Sequence, residues 1–305
     1  MQILDVWTGT GLRFQVNAER ALDITGCEFK DLPIAWRSPA GDVHPAYFEP
    51  TKLGWLRSFP GGLLATCGLD QFGSPTQDDG TEFGLHGRIS NQPATQVNYR
   101  TYWDGNDYKL EITGEIRQAA LFCENLVLRR RFTTALGSDQ IRIEDSVTNE
   151  GFEPVPHMLL YHFNLGFPLV SEYTRLQLQS EETLARDATA QTGLVDWDRF
   201  QAPTHGYQEQ VFIHRPVADE NGLTLIELHN PQIGYGLRWT YKTAELPYLM
   251  EWKMMGEGAY VVGIEPANCN GLGGRVATRE AGHLPNLLPG ESRSYNLAVE
   301  VFSKV

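Results

Sequence analysis

The chain has 305 residues, of which 41% are hydrophobic and 21% are charged, and its formal net charge is -13. This composition is sufficient for a large core and excludes a disordered chain. An acidic chain lacks the positive footprint that phosphate backbones require, so we expect no nucleic-acid partner. Its one basic run, Arg129, Arg130 and Arg131, lies in an alternating segment and is interpreted as a solvated strand face with one inward residue.

The termini and cysteines give expectations about location. The N-terminal segment has no basic region followed by a long apolar one, and no stretch approaches the roughly 18 apolar residues of a membrane span. We therefore expect a cytoplasmic protein that does not engage a membrane. Four scattered cysteines without CxxC spacing favour reduced thiols over a zinc site or disulfides: Cys27, Cys67, Cys123 and Cys269. The oligomeric state is left open, a homodimer included.

Strand-like segments follow one another along the chain. They are rich in β-branched and aromatic residues, and Gly, Pro, Asn or Asp separates most of them. They cover residues 96–103, 107–116, 139–148, 157–165, 224–230, 235–241 and 247–254. Residues 73–84 and 180–208 are the least strand-like and are predicted to be long loops, of the kind that often bind ligands. Because βαβ alternation is absent, we predict an all-β fold of two large packed sheets in one domain over residues 1–305.

The first polar candidates lie in loops of the N-terminal third. Arg57 and Asp70 flank a Gly-rich stretch. The structural alternative to a binding role is a surface ion pair for Arg57 and a turn carboxylate for Asp70. His86 and Arg88 point the same way around Gly87 if their segment is extended. Glycines beside a histidine allow a ligand to approach the backbone closely, which favours a binding site here.

A second candidate is His162, in the apolar segment PHMLLYHFNLGFPLV. Strand alternation places Leu160, His162 and Asn164 on one face and His157 on the other, so the two histidines cannot share a site directly. A lone histidine in an apolar strand is often a hydrogen-bonded core residue. The pattern alone therefore leaves a catalytic and a structural role open.

A third candidate is Glu265, in the segment AYVVGIEPANCNGLGG. Alternation places Glu265 on one face with Val261 and Gly263, whose small size leaves room for a ligand. Pro266 ends the strand because it has no N–H to donate. The alternative interpretation is a solvated carboxylate at a strand end.

Four short motifs occur in an order that resembles one known group of enzymes. They are Leu85-His86-Gly87, His162-Phe163-Asn164, Glu265-Pro266 and Leu288-Pro289-Gly290-Glu291. In this combination the chain resembles the aldose 1-epimerase, or galactose mutarotase-like, superfamily over nearly its whole length. It looks closest to a branch that shares stretches such as GGLLATCGL, GLHGR and GIEPANC.

The resemblance implies a β-supersandwich with an open sugar-binding cleft and assigns roles to three residues. Glu265 would be the general base on the C1 hydroxyl, His162 the general acid on the ring oxygen, and His86 a second histidine that positions the sugar. The chain departs from the better-known galactose enzymes in the spacing around His162 and in lacking their sugar-binding aspartate, whose place we assign to Gln210. The candidates for holding the sugar are Arg88, Asp70 and Lys253 for its hydroxyls and Trp252 for stacking on a ring face.

Mutarotation suits these residue types because it needs one proton removed from O1 and one delivered to O5. A carboxylate and an imidazole suffice, so we expect a monosaccharide substrate and neither a metal nor a cofactor. The leading hypothesis is a mutarotase-like isomerase. A variant has an acidic sugar held by Arg57, Arg88 or Lys253.

Two other function classes stay open at the level of sequence. One is a carbohydrate-binding protein with the same cleft and no turnover. The other is a metal-dependent β-barrel enzyme that uses His86, His157 or His162 with Glu265. The chain has no H-x-H or H-x-x-E-H spacing to support the metal enzyme.

Overall fold

The computed structural model describes residues 2–303 and is built from β-strands. The first four strands form an N-terminal sheet in the order β1-β2-β3-β4. They are β1 (Ile3–Trp7), β2 (Leu12–Asn17), β3 (Asp23–Phe29) and β4 (Leu32–Pro33). The remaining strands are β5 (Leu64–Leu69), β6 (Thr76–Asp78), β7 (Thr81–Phe83), β8 (Ala94–Asp104), β9 (Asp107–Ala119), β10 (Asn125–Ala135), β11 (Gln140–Asn149), β12 (Val155–Pro156), β13 (Met158–Gly166), β14 (Arg175–Leu178), β15 (Ser180–Ala185), β16 (Gln210–Pro216), β17 (Leu223–Asn230), β18 (Tyr235–Lys242), β19 (Tyr248–Met255), β20 (Tyr260–Ala267), β21 (Asn286–Leu287) and β22 (Ser292–Ser303).

Helices are short and lie in the connections. The α-helices are α1 (Ala188–Gln191) and α2 (Gly274–Glu280), and single 3₁₀ turns occur at Pro45–Tyr47, Gly54–Arg57, Ile89–Asn91 and Leu194–Asp196. Neither α-helix within residues 2–303 has the length and apolar character that crossing a membrane would require.

Most of the strands belong to two large antiparallel sheets. One has eight strands in the order β14-β17-β18-β22-β11-β10-β9-β8, and the other has six in the order β15-β16-β19-β20-β13-β5. Each predicted strand segment lies within or overlaps one of these strands. The two predicted loops are partly wrong, because residues 73–84 contain the β6–β7 hairpin and residues 180–208 begin with β15.

The main core lies between the two large sheets. It includes Phe132 and Trp239 from the eight-stranded sheet and Phe163 and Ile264 from the six-stranded sheet. Burying these side chains against each other is the main driving force for closing the sandwich. We call the face of the six-stranded sheet that packs on this core its inner face.

A second apolar cluster covers the opposite face of the six-stranded sheet, which we call its outer face. Its buried members are Trp55, Phe59, Ala65, Cys67, Phe72, Met158, Leu160, Met250, Ala267 and Cys269. All nine residues of β13 are buried, because this strand is covered on both faces. That explains its nearly continuous apolar sequence, which shows no alternation.

The arginine run in β10 divides as alternation requires. Arg130 points inward and its guanidinium forms buried ion pairs with Asp145 at 2.7 Å and with Asp23 at 3.1 Å. Arg129 and Arg131 lie on the solvated face and pair with glutamates there. The run is therefore part of the strand structure and forms no basic patch.

Candidate active site

The register of three adjacent strands brings a carboxylate and an imidazole together on the outer face. Leu160 of β13 pairs with Ala267 of β20, which places His162 level with Glu265. The His162 Nε2 and Glu265 Oε1 atoms are 3.2 Å apart, and both side chains are buried. Two residues about a hundred positions apart in the sequence are thereby close enough to exchange a proton.

Gly263 lets this pair lie directly against the strand backbone. It precedes Glu265 by two residues on the same face and pairs with Trp252 of β19. A Cβ at this position would lie 2.3 Å from Glu265 Oε1 and 3.2 Å from His162 Cε1. A side chain at this position would therefore displace the Glu265 carboxyl group and crowd the His162 ring, so only glycine allows this arrangement of the pair.

His86 approaches the pair from a loop. Its ring centroid lies 5.7 Å from that of His162, in an edge-to-face arrangement. The backbone there is a turn, with positive φ at His86 and Gly87. A Cβ on Gly87 would come within 2.2 Å of Gln71 O, so only glycine lets this turn approach the end of β5. The expectation of an extended segment with His86 and Arg88 side by side is wrong for this reason.

Aromatic rings surround the region next to His86, His162 and Glu265, which we call the cleft. Trp55 lies 4.7 Å from His86, Phe59 lies 5.3 Å from His162, and Trp252 lies 5.6 Å from His162 between ring centroids. Trp36 contacts Trp252 edge-to-face at 6.3 Å. Trp36 and Trp252 are only half-buried, so the wall is open on their side.

Burial shifts the pKa values of the three titratable groups in the cleft. It raises the pKa of Glu265, an effect that the Glu209 carboxylate adds to and the Arg186 guanidinium opposes. Burial lowers the pKa of His162, with a further contribution from His86. Burial also lowers the pKa of His86 to about 4. Near neutral pH both imidazoles are therefore uncharged, and Glu265 has a high affinity for a proton.

Hydrogen-bonding capacity in the cleft is unused. The contact between His162 Nε2 and Glu265 Oε1 is short but does not have hydrogen-bond geometry. Glu265 Oε1, His162 Nδ1 and His86 Nδ1 are buried and have no hydrogen-bond partner. Buried polar atoms usually have partners, and exceptions occur at functional sites.

Arg186 and Glu209 form the rim of the cleft, and sequence reasoning missed both. The indole N–H of Trp252 donates to Glu209 Oε2 at 2.9 Å, and Arg186 NH2 donates to Glu209 Oε1 at 3.0 Å. Glu209 directly precedes Gln210, the residue proposed from sequence. The available signal was strand alternation, because adjacent residues of one strand face opposite sides.

Lys253 and Gln210 do not reach the cleft, which corrects two predicted site residues. They pair with each other across β19 and β16, one position away from the outward-facing Trp252, and therefore point to the inner face. Lys253 Nζ donates to Asp196 O at 2.7 Å, and Gln210 Nε2 donates to Thr192 Oγ1 at 3.2 Å.

The other three predicted polar site residues differ in burial and in their ion pairs; they are Asp70, Arg57 and Arg88. Asp70 is buried, where it accepts a hydrogen bond from Gln118 Nε2 at 2.6 Å and pairs with Arg275 at 3.4 Å. Arg57 is exposed and pairs with Glu49 at 3.5 Å. Arg57 therefore fits its structural alternative of a surface ion pair, whereas Asp70, for which a turn carboxylate was the alternative, is buried and ion-paired. Arg88 is half-buried and forms no ion pair within residues 2–303.

A metal site is not formed by these side chains. Among residues 2–303, no group of three or more His, Cys, Asp or Glu residues is arranged so that it could hold a metal ion. The cleft offers a carboxyl group, two imidazoles and aromatic walls, which can move protons and contact the apolar face of a sugar.

Comparisons with known proteins agree with this architecture. A family model described as "Domain of unknown function (DUF4432)" matches residues 1–301. A search of curated proteins found no match.

Solved structures with the same fold are numerous. A protein from Klebsiella pneumoniae, described as a putative aldose 1-epimerase, is 27% identical with a TM-score of 0.93, over 99% of this chain and 79% of that one. A galactose mutarotase-like protein from Clostridium acetobutylicum is 15% identical with a TM-score of 0.70, over 100% and 99%. A galactose mutarotase related enzyme from Lactobacillus acidophilus is 12% identical with a TM-score of 0.63, over 99% and 98%. These likenesses confirm the all-β fold and the resemblance to the galactose mutarotase-like superfamily.

Proposed function

The chain belongs to the DUF4432 family, and from that premise and the geometry of the cleft we propose that it is an isomerase that interconverts the anomers of an aldose. The observation that carries the proposal is the 3.2 Å approach of His162 Nε2 to Glu265 Oε1 beside the bare backbone of Gly263. Because the two groups are this close, a ligand that reaches one of them would also contact the other. The likeness to proteins described as aldose 1-epimerases and mutarotase-like proteins supports the same reaction class.

The reaction needs a base and an acid close together. O1 and O5 are both bonded to C1 of the sugar, so neighbouring groups on one face of the sheet can serve both oxygens. The carboxylate of Glu265 accepts the O1 proton while the C1–O5 bond breaks and the C1=O1 bond forms. Protonated His162 then delivers its proton to O5, and the open-chain aldehyde rotates before the steps reverse.

Burial lowers the pKa of His162 and raises that of Glu265, so the ion pair that starts the cycle is the minor form near neutral pH. The pair holds a single proton, either on His162 as an ion pair or on Glu265 with both groups neutral. Ring opening converts the ion pair into the neutral form, which burial favours. Reclosure restores the ion pair, so no net proton is exchanged with solvent.

His86 and Glu209 are proposed to hold the sugar. His86 is neutral near pH 7 and offers one donor and one acceptor, which fits a sugar hydroxyl. Glu209 accepts from Trp252 and Arg186 and retains acceptor capacity for a hydroxyl. Trp252 itself is placed to contact a ring face.

A sugar with an acidic group is a finer variant of this proposal and depends on Arg88. Lys253 lies on the inner face, and Arg57 is exposed beside Glu49. Of the three predicted cations, that leaves Arg88, which forms no ion pair within residues 2–303, as the candidate for binding the acidic group. The variant predicts that a carboxylated sugar competes better than its neutral analogue, that high salt narrows the gap, and that Arg88→Met abolishes it.

The decisive experiment is exchange NMR at the anomeric protons across a panel of aldoses. Glu265→Gln should slow exchange on the order of 10³-fold, because the amide cannot accept the O1 proton. Glu251→Gln is the matched control, since Glu251 is also buried beside a histidine but faces inward; it should stay within about fivefold of wild type. Binding without accelerated exchange in the wild type would favour the alternative of a carbohydrate-binding protein, and equal rates in both variants would reject Glu265 as the base.

A further inference from the structure

The rim of the cleft is held together by one long connection. Residues 187–208, which we call the strap, join β15 to β16 and include α1. Arg186 and Glu209 stand at its two ends and pair with each other at 3.0 Å. Glu209 also accepts the Trp252 indole N–H. The backbone N–H of Arg186 donates to Val211 O at 2.9 Å, so the strands help to hold Arg186, whereas Glu209 lies outside β16 and depends more on the strap.

The middle of the strap is fixed from the inner face of the sheet. Lys253 Nζ donates to Asp196 O at 2.7 Å and lies 3.4 Å from Trp197 O. Hydrogen bonds from an ammonium group are roughly twice as strong as those between neutral groups. Gln210 adds a weaker attachment, from its Nε2 to Thr189 O at 3.3 Å.

Packing holds part of the strap as well, because Phe200 is buried in the main core and Trp197 packs against it. Trp197 and Asp198 line a groove of about 780 Å³, so one side of the strap has open space. On the other side the Trp197 ring meets His214 edge-to-face at 4.8 Å. Lys253 is 3% exposed, and a buried ammonium is retained only where it has compensating partners. Here those partners are the strap carbonyls and the nearby Glu251, Asp196 and Asp198 carboxylates.

We propose that Lys253 is a positioning residue that acts on the cleft from the opposite face of the sheet, by fixing the strap whose ends supply Arg186 and Glu209. Lys253 does not touch the sugar. Its effect on sugar affinity passes through the strap to Glu209 and then to Trp252. The part of this inference that concerns sugar affinity rests on the proposed function, and the part that concerns Trp252 does not.

The test compares Lys253→Met with Lys242→Met in the full chain. Methionine keeps the apolar stem of Lys253 and removes its donors, whereas Lys242 is exposed at the end of β18 and serves as the control. The seven tryptophans give separate indole N–H signals in ¹⁵N-labelled protein, and Trp252→Phe assigns the relevant one. We expect Lys253→Met to shift the Trp252 signal and to weaken sugar binding roughly tenfold, while the exchange rate at saturating sugar stays within about twofold. Lys242→Met should change neither quantity.

Two outcomes would overturn the inference. One is an unchanged Trp252 signal with unchanged affinity in Lys253→Met. The other is an equal loss of affinity and saturated rate together with a lower melting temperature, which would indicate a merely structural role. If Lys253→Met does not fold, Lys253→Gln, which keeps a shorter donor, is judged by the same criteria. A wild type that binds no aldose would contradict the proposed function but would leave the Trp252 measurement valid.

Discussion

Two buried glutamate–histidine pairs lie on opposite faces of the six-stranded sheet. On the outer face, Glu265 and His162 approach to 3.2 Å, and on the inner face, Glu251 and His214 approach to 3.3 Å. Burial raises the pKa of Glu251 just as it raises that of Glu265. In residue type, separation and burial the two pairs are nearly the same.

Their surroundings differ. The second ring nitrogen of His214 lies 3.0 Å from Thr183 Oγ1, and Trp197 covers the ring. The ammonium of Lys253 adds a compensating charge beside Glu251. These contacts close the inner pair into the packed protein.

The outer pair is left open by comparison. His162 Nδ1 and Glu265 Oε1 have no hydrogen-bond partner, Gly263 contributes no side chain, and half-buried Trp36 and Trp252 stand at the opening. A buried acid–base pair is therefore not by itself a sign of function. Glu251 Oε1 on the inner face also lacks a partner, so the outer face is distinguished by the unpartnered His162 Nδ1 and by the half-buried tryptophans.

Substituting the histidine of each pair in turn should give the largest difference between the outer and the inner pair. His162→Gln should slow anomer exchange about 10²- to 10³-fold, because glutamine can hydrogen-bond but cannot deliver a proton to O5. His214→Gln should keep the rate within about threefold and lower the free energy of unfolding by about 1–3 kcal/mol, because buried contacts to Thr183 and Glu251 are lost. Exchange NMR and urea unfolding measure the two quantities. If His214→Gln slowed exchange as much as His162→Gln, proton transfer would not be particular to the outer face.

The sequence predicted the all-β class and the strands because alternation and turn residues are local signals. It also named Glu265, His162 and His86, which the structure brings together. One domain over the whole chain, and the roles of these residues, stay predictions.

The predictions failed where the face of a strand or a distant contact decides. Trp252 and Lys253 are adjacent in β19, so one of the two had to face away from the cleft, but the register that decides which one is not a local property. Glu209 was missed in favour of Gln210 for the same reason. The wall residues Trp36, Trp55 and Phe59 come from segments far from the motifs, and the ion pair that engages Asp70 depends on Arg275, two hundred positions away.

A methyl group placed beside the outer pair tests whether the position of its carboxyl group matters for activity. In Gly263→Ala the new Cβ would collide with Glu265 Oε1, so the carboxyl must move and the space for the sugar shrinks. We expect kcat/KM to fall about 10- to 100-fold, since a displacement near 1 Å can cost that much. Gly258→Ala is the control, because its Cβ would meet nothing within 4 Å. Equal activity in the two variants would contradict the view that the position of the Glu265 carboxyl group beside Gly263 matters for the reaction.

The smallest expected effect is a pH dependence of stability that His86 contributes from the cleft. Burial lowers the pKa of His86 to about 4 from an ordinary value of 6.5. Between those values the unfolded chain binds a proton that the folded protein rejects, so the free energy of unfolding decreases as pH falls from about 6.5 to about 4. Burial also lowers the pKa of His157 to about 4 and lowers that of His162, so both add a decrease of the same sign, whereas the raised pKa of Glu265 opposes it.

His86→Asn measures the part that belongs to His86, since His162 on the same face still contributes. Urea unfolding at a series of pH values should show a slope that is smaller by at most one bound proton, because His157 still contributes. His205→Asn is the control, since the His205 ring is exposed and should leave the slope at its wild-type value. A slope that stays unchanged in His86→Asn would mean that His86 is already solvated in the folded protein. The cleft would then be wetter than its aromatic walls indicate, and a neutral imidazole could no longer be assumed to meet the sugar.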